Sequence, residues 1–350
     1  MSKKLETALA GIKLDDGWVI QSRRVRSSSG TGACHSVGFT AKHPDGRGAF
    51  VKVMDPTPDP TLEGREQLKE LERRLAVFIY EGELMEKCLT RRIRRVIRTI
   101  GQGSISITGF PNEIHYLLLE LADNDLREHA TQRKTLDNAL NMRIAHQIAL
   151  AVESLHFHQI AHQDLKPSNV LMFDAEEAKI GDLGHAHDRR MSRPGINGLI
   201  AGDPAHAPLE QLYGYELTEW TTRRLAADLY LLGSLIVFMF SDLSLTAQID
   251  AQIRPEHHWH VWADGYIDVL PYLRDAWDAA LEDFSNCVDP CIRDELTVIV
   301  RFLTNPDPEQ RGHPRNLAGN GPAHGIRRIC SRMDVLAKTA ERELLKKSVA

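Results

Sequence analysis

The sequence has few cysteines and no apolar segment near its first residue. Its 350 residues include five cysteines, whose spacing forms no paired framework, as is typical of a protein in a reducing cytoplasm. The opening residues, Met-Ser-Lys-Lys-Leu-Glu-Thr, lack the apolar core of a secretory signal. We therefore expect a cytoplasmic location.

Long hydrophobic runs and a strong charge imbalance are also missing. The longest apolar run, residues 229–240, is about six residues too short to span a bilayer, so we interpret it as a buried helix. A formal net charge of -5 gives no global reason to expect nucleic acid or an anionic membrane as a partner. With 42% hydrophobic and 26% charged residues, the composition is that of a globular protein.

The first third of the chain predicts strands interrupted by one long helix. Residues 17–25 and 49–54 carry alternating or β-branched apolar side chains, and 114–121 form the continuous apolar run of a buried strand. Between them, residues 62–88 form a proline-free helical pattern rich in Glu, Leu and Arg. After Asp123 the pattern changes, and helices are predicted at 136–158, 225–240, 266–285, 294–303 and 326–347.

Two charged motifs lie among the predicted helices. Residues 162–169 read His-Gln-Asp-Leu-Lys-Pro-Ser-Asn, and Asp182 follows within Gly-Asp-Leu-Gly. These residue types hold magnesium ions and an attacking hydroxyl around a phosphoryl group. We predict that Asp164 is the catalytic base or orients the hydroxyl, that Lys166 contacts the transferring phosphate, and that Asn169 and Asp182 bind magnesium. The alternative is a solvated loop without function. It would require four residue types to occur at these spacings by accident.

With these motifs the chain resembles the eukaryotic-type (Hanks-type) serine/threonine protein kinases over about residues 18–318. The resemblance implies an α+β fold with two lobes, ATP and Mg²⁺ as cofactors, and a protein hydroxyl as the acceptor. It divides the chain into an N-terminal extension (1–17), a β-rich N-lobe (18–121), a helical C-lobe (122–318) with a variable insertion (241–292), and a C-terminal helical tail (319–350). A lysine followed by Pro-Ser-Asn is similar to the serine/threonine branch rather than the tyrosine branch.

Lys52, in Ala-Phe-Val-Lys-Val, is similar to the strand lysine that binds the α- and β-phosphates of ATP in this family. Its expected partner is a glutamate on the long helix. Glu81 shares a helical stripe with Phe78 and Met85, whereas Glu83 is turned about 200° away. We therefore predict a pair between Lys52 and Glu81. The alternative for Lys52 is a solvated lysine on an edge strand.

The loop that covers the phosphates matches the family least well. Residues 27–34 read Ser-Ser-Ser-Gly-Thr-Gly-Ala-Cys and keep only the last glycine of the family's G-x-G-x-x-G. Small residues still allow backbone N–H groups to approach phosphate oxygens, although an ordinary turn fits equally well. The residues predicted to bind ATP here are Ser29, Gly30, Gly32 and Cys34.

Other matches to the family are spread along the chain. Glu120 and Ala122 fall where backbone groups pair with adenine, and Asp125 is placed either to reach the ribose or to form a polar turn. Residues 202–210 resemble the end of an activation segment. Three structural residues are predicted by the resemblance: Glu210, Asp228, which would anchor the catalytic loop (residues 162–169), and Arg311, which would pair with Glu210.

Two departures bear on regulation. Gln163 replaces an arginine that in the family pairs with a phosphate on the activation segment, so we predict activity that does not require that phosphate. Asp203 stands where serine/threonine kinases usually carry a threonine between the catalytic Asp and Lys. Its carboxylate would either pair with Lys166 or repel substrate phosphate. Ser192, in Arg-Arg-Met-Ser-Arg-Pro, is either an autophosphorylation site or an exposed serine without a role.

Two local clusters admit other functions. Arginines at 91, 92, 94, 95 and 98 would contact an acidic partner or nucleic acid, or form the solvated face of a strand, which we favour. Histidines at 257, 258 and 260 with Cys287 and Cys291 match no strong zinc signature. We interpret residues 241–292 instead as an insertion that docks substrate or a regulator.

The leading functional hypothesis is an active kinase that phosphorylates a protein substrate, with control through a regulatory protein partner. A pseudokinase that uses the fold for nucleotide-sensitive partner contacts is the second hypothesis, favoured by the incomplete glycine loop and Asp203. Phosphorylation of a small molecule or RNA is the third. The activation-segment signature and Asp228 oppose it.

Overall fold

A computed structural model describes residues 3–24, 36–110, 112–132, 137–174, 176–195, 200 and 202–349. The chain forms two compact units. The first comprises Met1–Asp123 and Ser192–Ile196, and the second comprises Asn124–Met191 and Asn197–Ala350.

The first unit is built on an antiparallel sheet of five strands in the order β1-β2-β3-β5-β4. The strands are β1 (Val19–Arg23), β2 (Ser36–Lys42), β3 (Gly48–Met54), β4 (Thr99–Ile105) and β5 (Ile114–Glu120). Because side chains alternate along a strand, Val37, Phe39 and Ala41 of β2 face one core. Leu5 and Leu9 of helix α1 (Lys3–Leu9) enter the same core, so residues of the predicted N-terminal extension complete it.

The long helix of this unit is α2 (Gly64–Thr90), which begins and ends two residues later than predicted. It ends in a turn where the N–H of Ile93 donates to the carbonyl of Cys88 at 2.9 Å and Arg92 adopts a left-handed conformation. Residues 91–98 therefore form a connection with two turns and a single isolated bridge residue, Val96, and β4 begins only at Thr99. The interpretation of the arginine run as the face of a strand was wrong, because two left-handed residues bend the backbone there.

The second unit is mainly helical. Its helices are α3 (Leu126–Gln132), α4 (Asn138–Phe157), α5 (Leu209–Leu212), α6 (Ala226–Ser241), α7 (Leu245–Gln252), α8 (Tyr266–Cys287), α9 (Arg293–Thr304), α10 (Pro314–Leu317) and α11 (Arg327–Val349). The five longest lie within two residues of their predicted ends. Arg143 of α4 forms ion pairs with Glu341 of α11 and with Glu176, so the C-terminal helix packs on the unit rather than standing apart.

Helix α6 is the central helix of this unit, and nearly all of its residues are buried. A π-helical turn, Thr221–Leu225, precedes it and lengthens the helical segment beyond the apolar run seen in the sequence. The combined helix, Thr221–Ser241, has the length and hydropathy to cross a membrane, but 89% of its apolar window is buried inside the protein. Burial on all sides identifies it as a core helix.

Short strands hold the two charged motifs. The pairs are β7 (Ile160–Ala161) with β10 (His187–Asp188), and β8 (Val170–Phe173) with both β6 (Asn124–Asp125) and β9 (Glu177–Ile180). The loop at 162–166 follows β7, a 3-10 turn spans Pro167–Asn169, and Asp182 follows β9. Paired strands thus fix both ends of each motif.

Candidate active site

The catalytic loop is fastened to α6 by one buried carboxylate. Asp228 accepts the backbone N–H of His162 at 2.7 Å and that of Gln163 at 2.8 Å, and the His156 ring lies 2.9 Å away. Burial alone would raise the pKa of Asp228, but the hydrogen bonds from His156 and Gln163, together with the nearby histidines, hold that pKa below its usual value. A charged carboxylate with every contact satisfied is therefore the stable form here.

Asp164 is held from several directions. Its Oδ1 accepts the N–H of Asp203 at 3.0 Å, and its Oδ2 accepts the Asn169 amide at 2.9 Å and lies 3.1 Å from Lys166 Nζ. Gly202 permits this approach, since a Cβ at that position would stand only 2.5 Å from Asp164 Oδ1. Fixed contacts of this kind suit a group that must orient a substrate hydroxyl.

Lys166 lies between two carboxylates. Besides Asp164, its ammonium is 3.5 Å from Asp203 Oδ2, while the other Asp203 oxygen accepts the N–H of Ala205. We expected the Asp203 carboxylate either to pair with Lys166 or to repel substrate phosphate, and in the structure it pairs with Lys166. Next along the segment, burial lowers the pKa of His206 to about 4, so this ring is neutral near pH 7.

The predicted metal ligands are tied together through the backbone. The N–H of Gly181 donates to the carbonyl of Asn169 at 2.9 Å, and Asp182 follows in a left-handed conformation with φ of 60°. In the described part of the chain, the buried Oδ1 of Asn169 accepts no hydrogen bond. An amide oxygen that accepts no hydrogen bond, in the same motif as the Asp164 carboxylate, is a suitable ligand for a hard cation.

A cation here would need ligands beyond the protein. No group of three or more His, Cys, Asp or Glu side chains that could hold a metal occurs within the described residues. Magnesium commonly takes one or two protein oxygens and completes its shell with water and substrate phosphates. Asn169 and Asp182 fit that pattern.

Lys52 and Glu81 form the charged pair of the first unit. Lys52 lies on β3 opposite Leu117 of β5, and its ammonium donates to both Glu81 oxygens at 2.7 and 2.8 Å. Glu81 is 3% exposed, whereas Glu83 points to solvent. A lysine held by a buried carboxylate presents its positive charge at a fixed position, which would suit the binding of phosphate oxygens.

The predicted adenine segment is already partly engaged within the first unit. The N–H of Glu120 donates to the carbonyl of Arg98, and the Glu120 carboxylate accepts the Arg98 N–H. The Arg24 guanidinium donates to the carbonyl of Ala122 at 2.8 Å. Pairing with a base would therefore use the other backbone groups of Glu120 and Ala122.

The remaining predicted ATP ligands fall into two groups. Asp125 accepts the N–H of Glu128 at 3.0 Å and so caps α3, which is the polar-turn alternative, and contact with ribose stays a prediction. The phosphate-loop residues lie outside the described residues: Ser29, Gly30, Gly32 and Cys34.

Gln163 has a full set of partners. Its amide N–H groups donate to the Arg224 carbonyl at 2.9 Å and to Asp228 at 3.0 Å, and its carbonyl accepts from the Arg224 guanidinium at 3.0 Å. Sequence reasoning missed Arg224 and His156. The only signal for Arg224 was its place one helical turn before Asp228.

The structural pair predicted from the activation-segment signature is bidentate and buried. Arg311, 0% exposed, donates to both Glu210 oxygens at 2.7 and 2.6 Å, and the Asn305 carbonyl accepts its Nε–H. Burial opposes the charged form of Arg311, but Glu210 raises its pKa above the usual value. Both charges are thus retained inside the unit.

Ser192 and the insertion show no further catalytic group. Ser192 is exposed and belongs to the first unit, where a Cβ on neighbouring Gly195 would stand 3.0 Å from the Arg73 side chain. In the insertion, His257 stacks on Tyr272 with ring centroids 3.6 Å apart. His257 therefore serves packing, whereas the His258 ring lies 2.7 Å from Asp250 and His260 is exposed.

Comparison with known proteins agrees with the geometry. A model of the protein kinase domain matches residues 30–318. The chain is 32% identical over 135 residues to calmodulin-binding receptor-like cytoplasmic kinase 2 of Arabidopsis thaliana, which is 36% of this chain and 31% of that protein. It is 29% identical over 224 residues to sucrose non-fermenting protein kinase 1 of Fusarium virguliforme, or 61% of this chain and 31% of the relative.

A third relative is mitogen-activated protein kinase mpkC of Aspergillus terreus, with 27% identity over 198 residues, 55% of this chain and 52% of the relative. Across these three, the match spans about a third to about half of the relative's own length. The family model, by contrast, covers most of this chain.

Proposed function

Because the chain belongs to the protein kinase family, we propose that it transfers the γ-phosphate of ATP to a serine or threonine hydroxyl of a protein, with Mg²⁺ as the metal. The arrangement around Asp164 carries this proposal. Asn169, Lys166 and the N–H of Asp203 fix that carboxylate, and the free Oδ1 of Asn169 lies in the same motif. Phosphoryl transfer depends mainly on such positioning and on charge stabilisation.

In the proposed reaction, Asp164 orients the acceptor hydroxyl and takes its proton as the oxygen bonds to the γ-phosphorus. The bond from that phosphorus to the β,γ-bridging oxygen breaks, and ADP leaves. Lys166 offers positive charge to the transferring group, and Lys52, held by Glu81, offers it to the α- and β-phosphates. Asn169 and Asp182 would hold magnesium, which neutralises phosphate charge when bound.

Two observations favour a protein acceptor over a small molecule. The buried pair of Glu210 and Arg311 belongs to the signature that resembles an activation segment, and Asp228 fastens the loop as in that family. A cytoplasmic location is also part of the proposal. The described cysteines, at 88, 287, 291 and 330, form no disulfide bond with one another, which supports it.

The proposal is tested by transfer from ATP labelled at the γ-phosphate to a mixed protein substrate, followed by phosphoamino-acid analysis. We expect labelled serine and threonine, loss of label without a divalent metal, and an at least ~100-fold lower rate in Asp182→Asn, because a metal-binding charge is removed. Asp174→Asn is the matched control: it removes the same charge from an exposed residue that is also left-handed, with φ of 49°.

Absence of label with every divalent metal tried would instead support the pseudokinase. Label found only in tyrosine, in RNA or in a small molecule would assign another acceptor. An unchanged rate in Asp182→Asn would remove that residue from the metal site.

Activity should not depend on a phosphate in the activation segment. Gln163 is neutral and its amide is hydrogen-bonded to Arg224 and Asp228. Position 163 therefore has no positive charge that would bind a phosphate on the activation segment. We expect phosphatase-treated protein and Ser192→Ala to keep the untreated initial rate within about twofold. Mass spectrometry of residues 189–195 verifies the phosphate state, and a rate that falls about tenfold in both preparations would contradict the prediction.

A further inference from the structure

Residues 91–98, named here the arginine turn, connect α2 to β4, and their side chains have no part in the proposed reaction. Three aliphatic side chains anchor it, since Ile93, Val96 and Ile97 are each buried. Between these anchors the arginines at 91, 92, 94 and 98 are exposed. The turn is therefore a firmly seated platform that directs several guanidinium groups outward.

The backbone of the arginine turn is one that arginine disfavours. Arg92 has φ of 54° and Arg95 has φ of 62°, a region where side chains with a Cβ are strained and where glycine is usual. Arg92 occupies the position after the helix end at which glycine is the common choice. Keeping arginine at two such positions points to a use for the side chain.

Within the described part of the chain, the guanidinium groups of Arg92, Arg94 and Arg98 have no hydrogen bond or ion pair. Some other exposed cations have carboxylate partners, as Lys338 has Asp334 and Lys346 has Glu343. A helix C-terminus attracts cations within its last turn. That effect accounts for a cation at the helix end but not for those at 94 and 98, beyond it.

We propose that the arginine turn is a docking surface for an acidic segment of a protein, and, resting on the proposed function, that this segment belongs to the protein substrate. Guanidinium groups form paired hydrogen bonds with carboxylates. Exposed Leu89 (39%) and Ile100 (43%) flank the turn in sequence, so the segment would carry apolar residues beside its acids.

The chemistry of the turn disfavours nucleic acid. Single strands bind to basic grooves that also offer aromatic rings for base stacking, and residues 91–98 contain no aromatic residue. The interleaved residues are buried aliphatics, and the whole chain carries a net charge of -5. A short acidic peptide needs only the local cluster of charge.

Binding can be measured without catalysis, using the full chain and a fluorescein-labelled 12-residue peptide of glutamates with two leucines, at 0.15 M salt. We expect Arg92→Gln/Arg94→Gln/Arg98→Gln to weaken the Kd about tenfold, since each lost exposed contact costs up to a few fold. The matched control, Lys338→Gln/Lys346→Gln/Lys347→Gln, makes the same charge change at exposed lysines paired within the chain and should leave the Kd unchanged. Thermal melts establish that both variants are folded.

As a second readout, a phosphoacceptor peptide extended by the acidic segment should have a lower KM than the unextended peptide in wild type, and the advantage should vanish in the arginine variant. Equal Kd values in wild type and arginine variant, equal weakening in the control, or no peptide binding by wild type would overturn the proposal. If single-stranded RNA of equal charge bound more tightly than the acidic peptide, the partner of the arginine turn would be a nucleic acid and not an acidic protein. If the protein transferred no phosphate, the proposed function would be refuted, but the peptide Kd values would still test the docking surface.

Discussion

Replacing Asp164 by asparagine is expected to lower the rate of phosphoryl transfer by about two to four orders of magnitude. The carboxylate orients the acceptor hydroxyl and takes its proton, and an amide cannot accept that proton. One oxygen receives Asp203 N–H, and the other receives the Asn169 amide and lies beside Lys166. An amide would direct N–H groups at one of these donors, so orientation is lost as well.

The measurement is kcat and KM with labelled ATP, together with ATP affinity by displacement of a fluorescent nucleotide. The loss should fall on kcat, with ATP affinity within about twofold of wild type, because a group acting in the transition state does not set ground-state binding. Asp242→Asn, the same change at an exposed left-handed residue of the second unit, should retain the wild-type rate. Equal labelling by wild type and Asp164→Asn would refute the catalytic role.

Replacing Arg311 by methionine is expected to lower the free energy of unfolding by about 3–5 kcal/mol. The substitution leaves the Glu210 carboxylate buried without its two charge-assisted hydrogen bonds, and the Asn305 carbonyl also loses a donor. A buried ion pair adds little net stability compared with apolar residues, but removal of one partner is costly. The decrease in the free energy of unfolding therefore reports the cost of leaving the Glu210 carboxylate buried without a partner.

Urea denaturation followed by tryptophan fluorescence gives the change. Arg301→Met is the matched control, because Arg301 pairs with Asp278 at the surface and an exposed pair contributes at most about 1 kcal/mol. Adding Glu210→Leu to Arg311→Met should recover part of the lost stability, since no charge then stays buried. Equal losses for Arg311→Met and Arg301→Met would contradict the buried-charge explanation.

Most of the long helices could be predicted from the sequence, because the spacing of apolar residues that indicates a helix lies within the helix itself. Helix α2 and the pairing of Lys52 with Glu81 follow from a period of 3.6 residues that places Glu81 on the buried stripe. Strands β2 and β4 were not predicted. Strand β4 reads Thr-Ile-Gly-Gln-Gly-Ser-Ile, whose glycines and sparse apolar residues give no strand signal, and its pairing with β5 supplies what the local sequence lacks.

Within the candidate site, motif spacing located Asp164, Lys166 and Asn169, but not the contacts that hold them. Asp228 was expected to anchor the loop, yet nothing local indicates that it accepts two consecutive backbone N–H groups. Arg224 became visible only once α6 and its preceding turn were placed against the loop. Such contacts join residues more than 60 positions apart and depend on the packed fold.

Gln163 also has a consequence for the life of the protein in the cell. Gln163 joins the loop to Arg224 and to the buried Asp228 carboxylate, and none of these groups is a phosphate that a phosphatase could remove. Under the proposed function, the loop would need no added phosphate to reach its working geometry, and neither a second kinase nor an opposing phosphatase would control its rate. Synthesis, degradation, the supply of docked substrate and a regulatory protein partner would then determine how much substrate is phosphorylated, which makes the cellular abundance of the kinase the quantity to follow in vivo.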